Sequence, residues 1–79
     1  MNLNKMIELA EKNGACTVEL EKVKKYTTIE QALLDDNAPF WCYWYAKYII
    51  KGRFELGEKT IAKSYCWSCY YSKFIEGVK

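Results

Sequence analysis

Apolar residues recur along this chain at the three- and four-residue spacing of helices, with almost none of the alternation that a half-buried strand requires. Residues 3–12 carry Leu3, Met6, Ile7 and Ala10 on one face. Asn2 or Asn4 is placed to cap this helix and Asn13-Gly14 to end it. Over 15–25, Val18 and Leu20 alternate briefly, but no partner strand follows. A helix capped by Thr17 puts Leu20 and Val23 together and sets Glu21 four residues before Lys25. Thr27 with Glu30, or Thr28 with Gln31, has capping-box spacing. It predicts a third helix running to about Asp35, with Ile29, Ala32 and Leu33 inward.

Asp35-Asp36-Asn37-Ala38-Pro39 breaks that pattern, and Pro39 suits the first turn of a fourth helix over 39–51. Here Trp41, Trp44, Tyr45, Tyr48 and Ile49 form one stripe, while Phe40, Cys42, Tyr43, Ala46 and Ile50 occupy the other faces. A helix apolar almost all round is expected at the centre of its domain, and Gly52 is expected to close it. A connector over 53–57, a short helix over 58–64 with Ile61 and Ala62 inward, and a last helix over 65–76 ended by Gly77 complete the pattern. The expected fold is all-α: one compact domain over 1–79 of five or six short helices.

Shifting the sequence by 26 residues lays the last helix over helix four, matching Trp41 with Trp67, Tyr45 with Tyr71, Lys47 with Lys73 and Ile49 with Ile75. Repeat-like units over about 38–63 and 64–79 follow. The last helix is expected to pack across helix four through the shared stripe, with Trp41, Trp44, Tyr45, Ile49, Trp67, Tyr71 and Phe74 in the core.

The run Tyr45-Ala46-Lys47-Tyr48-Ile49-Ile50-Lys51-Gly52-Arg53-Phe54, continued to Glu58, resembles a repeat of small phage and prophage proteins. Their units read roughly Tyr-Ala-x-x-Val-Ile-Lys-Gly-Arg-Trp-x-x-x-Glu. Upstream, Ala15-Cys16 and Thr28-Ile29-Glu30-Gln31-Ala32 are similar to a leader before the Trp-rich helix of such proteins. The second copy departs from the pattern at Glu76-Gly77-Val78-Lys79, where no Arg-aromatic continuation follows. The resemblance implies an origin and a helical fold, and no activity. In its turn, Arg53 is within reach of Glu55 or Glu58.

Composition changes this picture in two ways. A chain of 79 residues buries only about 60% of its unfolded surface, yet 51% hydrophobic and 16% aromatic residues supply a core without a staple. Net charge of +2 sets it apart from strongly basic nucleic-acid binders. With no histidine, His-based metal sites, His general bases and Ser-His or Cys-His dyads are excluded. No basic-then-apolar leader and no membrane-length apolar run occurs, so the chain is expected in the cytoplasm (the host's, if it is phage-encoded) with reduced cysteines.

Cys66-Trp67-Ser68-Cys69 could be a redox pair, or half of a zinc site completed by Cys16 and Cys42. No strand-to-helix context supports the first, and Cys16 and Cys42 are isolated. The repeat register aligns Cys66 with Phe40 and Cys69 with Tyr43, so buried packing thiols are expected, with no metal and no cofactor. Asp35-Asp36 are adjacent and point apart, and no phosphate loop or nucleophile elbow occurs.

A non-catalytic protein-interaction module follows as the expected function. Its partner would be a host protein or complex, as in an anti-CRISPR inhibitor of host defence. Tyr43, Tyr65 and Tyr70 are the expected contact anchors, with Lys47, Lys51 and Arg53 at the rim. The alternative is a small nucleic-acid-associated protein using scattered Lys and Arg on phosphates, Lys22-Lys24-Lys25 being the densest cluster.

Overall fold

A computed structural model describes residues 2–77. Six α-helices are present among them: α1 (Leu3–Lys12), α2 (Thr17–Val23), α3 (Ile29–Ala32), α4 (Ala38–Tyr45), α5 (Glu55–Ile61) and α6 (Tyr65–Glu76). A π-helical segment, Ala46–Ile50, prolongs α4, and no strand occurs among the described residues. The radius of gyration, 11.7 Å, is that of a packed domain of this length, for which about 12 Å is expected. The end of the second repeat unit, 78–79, lies outside the described residues.

Local capping accounts for most of the boundaries. Asn2 Oδ1 accepts from the Lys5 backbone N–H at 2.8 Å and starts α1; the Asn13 side chain donates to Leu9 O at 2.8 Å and ends it. Gly14 follows in the left-handed conformation, at φ +80°. In α2 the cap position belongs to Cys16, one residue before the expected Thr17. Thr28 Oγ1 accepts from Gln31 N–H at 3.2 Å, and Gln31 Oε1 accepts from both the backbone and the hydroxyl of Thr27. This box starts α3, but the helix ends at Ala32 rather than Asp35. Asp35 instead takes the Asn37 N–H at 2.8 Å and the Tyr26 hydroxyl at 2.6 Å, which turns the chain toward α4.

Beyond Ile50 the left-handed residue is Lys51, at φ 60°, and not the expected Gly52. Its N–H reaches back five residues to Ala46 O at 2.7 Å, the π-type hydrogen bond. Helix α5 begins at Glu55, three residues earlier than the pattern predicts, because the buried Phe54 anchors its entrance. The early start also ends the helix at Ile61, leaving Ala62 exposed where an inward position is expected. Helix α6 spans Tyr65–Glu76 and ends at Gly77, as the pattern predicts; Ser64, expected as the end of the preceding helix, caps it.

Helix α4 is the centre of the fold and serves two cores. Cys42, Tyr45 and Ala46 join Phe54, Ile61 and Tyr71 in a C-terminal cluster, against which Ile49, Trp67 and Phe74 are half-buried. Trp41 packs instead with Leu3, Ile7 and Ala32 in an N-terminal cluster. The single Trp/Tyr/Ile stripe expected to meet the last helix is therefore divided: Tyr45 and Ile49 face the C-terminal core, Trp41 the N-terminal one. Trp44 is half-buried beside Tyr48, with ring centroids 5.3 Å apart. No helix is long and apolar enough to cross a membrane, among the described residues.

Candidate functional site

The α4–α6 seam is built from two triads at i, i+3 and i+7: Phe40, Tyr43 and Lys47 on one helix and its extension, Trp67, Tyr70 and Phe74 on the other. Phe40 meets Trp67 at 4.9 Å between ring centroids, and Tyr43 lies 5.4 Å from Trp67, 6.2 Å from Tyr70 and 6.5 Å from Phe74. Trp67 and Tyr70 are 5.6 Å apart. Ring partners advance together along both helices, so α4 and α6 run side by side in the same direction. The tilted and edge-on arrangements are those that aromatic quadrupoles favour. Lys47 Nζ stands over this assembly, 5.7 Å from the Tyr43 ring and 5.5 Å from that of Tyr48.

Around the seam the surface is open. Tyr65 is 85% exposed and Tyr70 55%, and both line a shallow groove with Cys66, Cys69 and Lys73 on the outward face of α6. Here the repeat register misleads. Cys66 and Cys69 are exposed, not buried. Their counterparts Phe40 and Tyr43 are covered because α6 lies on that face of α4; the equivalent face of α6 has no further helix upon it. Cys16 is also exposed, while Cys42 is buried, and burial pushes its thiol up to about 12. The four thiols do not converge, and among the described residues no three Cys, Asp or Glu side chains stand close enough to hold a metal.

The expected rim residues fare differently. Lys47 joins the aromatic face, and Lys51 sits exposed at the end of the π-helical segment. Arg53 is committed elsewhere: Nε and Nη2 each donate to the Glu58 carboxylate at 2.9 Å. Of its two expected partners, Glu58 is the one engaged. The Tyr71 hydroxyl donates to the same carboxylate at 2.6 Å while accepting the Phe54 N–H at 3.0 Å. Arg53 first, then Tyr71, holds the Glu58 carboxyl down at about 2. Burial first, then Glu58, raises the Tyr71 hydroxyl above its ordinary value. This constellation fastens α5 and α6 to the turn that leads into α5, where Arg53 and Phe54 stand.

The basic cluster is partly neutralised. Lys22 pairs with Glu19 at 3.4 Å and Lys24 with Glu11 at 3.3 Å. Asp35 is held below the usual carboxylate range, chiefly by the Tyr26 hydroxyl and then by the Asn37 N–H.

One feature has no counterpart in the periodic pattern. Between α1, α2, α3 and α4 lies an almost wholly apolar cavity of about 130 Å³. No family model, curated protein or solved structure matches the chain.

Proposed function

We propose that this chain is a non-catalytic protein-interaction module that docks on a partner protein through the aromatic face of α4 and α6. The observation that carries the reading is an assembly of five packed rings, one of them the exposed Tyr70, with the exposed Tyr65 lining the same groove. Tyrosines backed by packed rings lose little entropy on binding, and such residues dominate contact energies. Tyr43 and Lys47 extend the face, Lys51 lies at its margin, and Arg53 acts in the fold through Glu58. The absence of histidine and the commitment of Glu58 and Asp35 to structural partners support a non-catalytic role.

The resemblance of the Tyr45-to-Glu58 run to phage and prophage repeats supports a host protein as the partner and the host cytoplasm as the place of action. Inhibition of a host defence complex, in the manner of anti-CRISPR proteins, is the concrete version. The test compares the chain with a Tyr65→Ala/Tyr70→Ala variant in affinity capture from host lysate, and in a plasmid-interference assay. A partner held by the parent and lost by the equally folded variant supports the reading. Equal capture by both sinks the placement of the face. Capture of nucleic acid that weakens steeply with salt would favour the phosphate-binding alternative, for which Lys47 and Lys73 beside exposed rings are the supporting residues.

A further inference from the structure

We propose that the cavity between α4 and the three N-terminal helices is a binding site for a small uncharged molecule bearing one aromatic ring or a hydrocarbon group of similar size. This inference does not rest on the docking face; the two share Phe40, which lines the cavity and packs on Trp67.

Size is the first argument. An enclosed apolar cavity of about 150 Å³ takes up benzene; this one measures about 130 Å³ and is partly open to solvent, which gives a ligand a way in. The second is its lining. Leu3 and Ile7 of α1, Leu20 and Val23 of α2, and Trp41 and Trp44 of α4 face it, so a ring there gains dispersion contacts that water cannot supply.

The third argument comes from the packing around it. The core of this domain is in two clusters, and residues of both line the cavity: Leu3, Ile7 and Ala32 from one, Cys42 and Tyr45 from the other. Helix α2 forms a wall yet has no buried residue, although Leu20 and Val23 point at the space. An amphipathic helix whose apolar face is only half covered is what an unfilled site between it and its neighbours produces. Filling the space would complete the burial of α2 and join the two clusters.

Polarity sets the ligand class. Glu19 is the one charged residue in the lining. Its carboxylate is engaged by Trp41 Nε1 and the Asn37 amide at 3.4 Å each, and by Lys22 Nζ at 3.4 Å. No buried side-chain polar atom among the described residues lacks a partner, so none is held in reserve for a ligand charge. An anion would meet the Glu19 carboxylate with no free donor to receive it. A cation would find that carboxylate already paired with Lys22, so the occupant is neutral.

The test is a titration with benzene, phenol and benzoate, read by the indole ¹⁵N–¹H signals and by thermal melting. Benzene and phenol should shift the signals of Trp41 and Trp44, which line the site, and leave that of Trp67, which does not. At about ten times Kd they should raise Tm by about 4 °C or more, and benzoate should do neither. Ala10→Leu, which adds bulk to the lining from α1, should reduce the ligand-dependent shift at least tenfold. Ligand-free indole dispersion shows whether that variant is folded, and the parent titration tests the proposal without it. Equal shifts of all three indoles, or none up to the solubility limit of benzene, overturn the proposal. So does a concentration-dependent shift of Trp41 and Trp44 without ligand, which would assign the cavity to a second copy of the chain.

Discussion

The hydroxyl of Tyr71 donates to the carboxylate of Glu58 across 2.6 Å, joining the middle of α6 to the first turns of α5. The same oxygen accepts the backbone N–H of Phe54 at 3.0 Å. A single atom thus satisfies the entrance of α5 and one side of its ion pair with Arg53. Tyr71→Phe keeps the ring and its packing but strands the Phe54 N–H inside the protein. The expected loss is about 1–3 kcal/mol, read as a lower urea midpoint with an unchanged slope.

Acid should expose the Glu58 contribution. The carboxyl titrates near 4.5 when unfolded and at about 2 when folded. Its stabilisation is complete above about 4.5 and is lost as pH falls from there toward 2. Asp35, also held below its ordinary value, acts in the same sense. Urea midpoints measured between pH 6 and pH 2 should fall for the parent chain. Glu58→Gln should start lower and flatten that fall; an unaltered pH profile in the variant would refute the assignment.

Gly57 sits where α5 presses against α4. A Cβ there would stand 2.7 Å from the Phe54 ring and 2.8 Å from Cys42 Sγ. Gly57→Ala, mild elsewhere in a helix, should destabilise by about 1–3 kcal/mol through overpacking. Adding Cys42→Ala removes one of the two clashing groups. The double variant should recover part of the loss, a coupling visible in a double-mutant cycle.

Lys51 holds a left-handed backbone at φ 60° with nothing but side-chain chemistry against it. Lys51→Gly removes the Cβ conflict and, after the entropy of the unfolded glycine is counted, should stabilise by about 0.5–1 kcal/mol. A lower melting temperature for this variant would mean that the lysine side chain contributes more than the strain removes.

Thiol chemistry separates the cysteines. Cys16, Cys66 and Cys69 are exposed, whereas Cys42 is buried with its thiol pushed up to about 12. An aromatic disulfide reagent at pH 8 should label three thiols quickly and the fourth only at the rate of unfolding. Cys42→Ala should abolish the slow phase alone.

Much of the fold was legible along the chain because it is local. Asn2, the Thr28-Gln31 box and Gly77 act on backbone groups within a turn of themselves, so α1, α3's start and the end of α6 follow from residue order. The all-round apolar character of 39–51 likewise marked the fourth helix as the central one before any neighbour was known. Among the expected contact residues, Tyr65 and Tyr70 lie on the surface, and Tyr43 lies in the seam with Lys47 above it.

What the order of residues could not decide is which face of a helix finds a neighbour. Phe40 and Tyr43 are covered and Cys66 and Cys69 bare, although a 26-residue shift makes them equivalent. Only the position of α6 beside α4, with nothing beyond it, separates the two pairs. Arg53 had two carboxylates within reach along the chain, and only the fold chose Glu58 and brought Tyr71 to it; the cavity arises from helices that approach without filling the space between them. Periodicity records how a helix is patterned; burial depends on what lies opposite, and that is settled only when the whole chain packs.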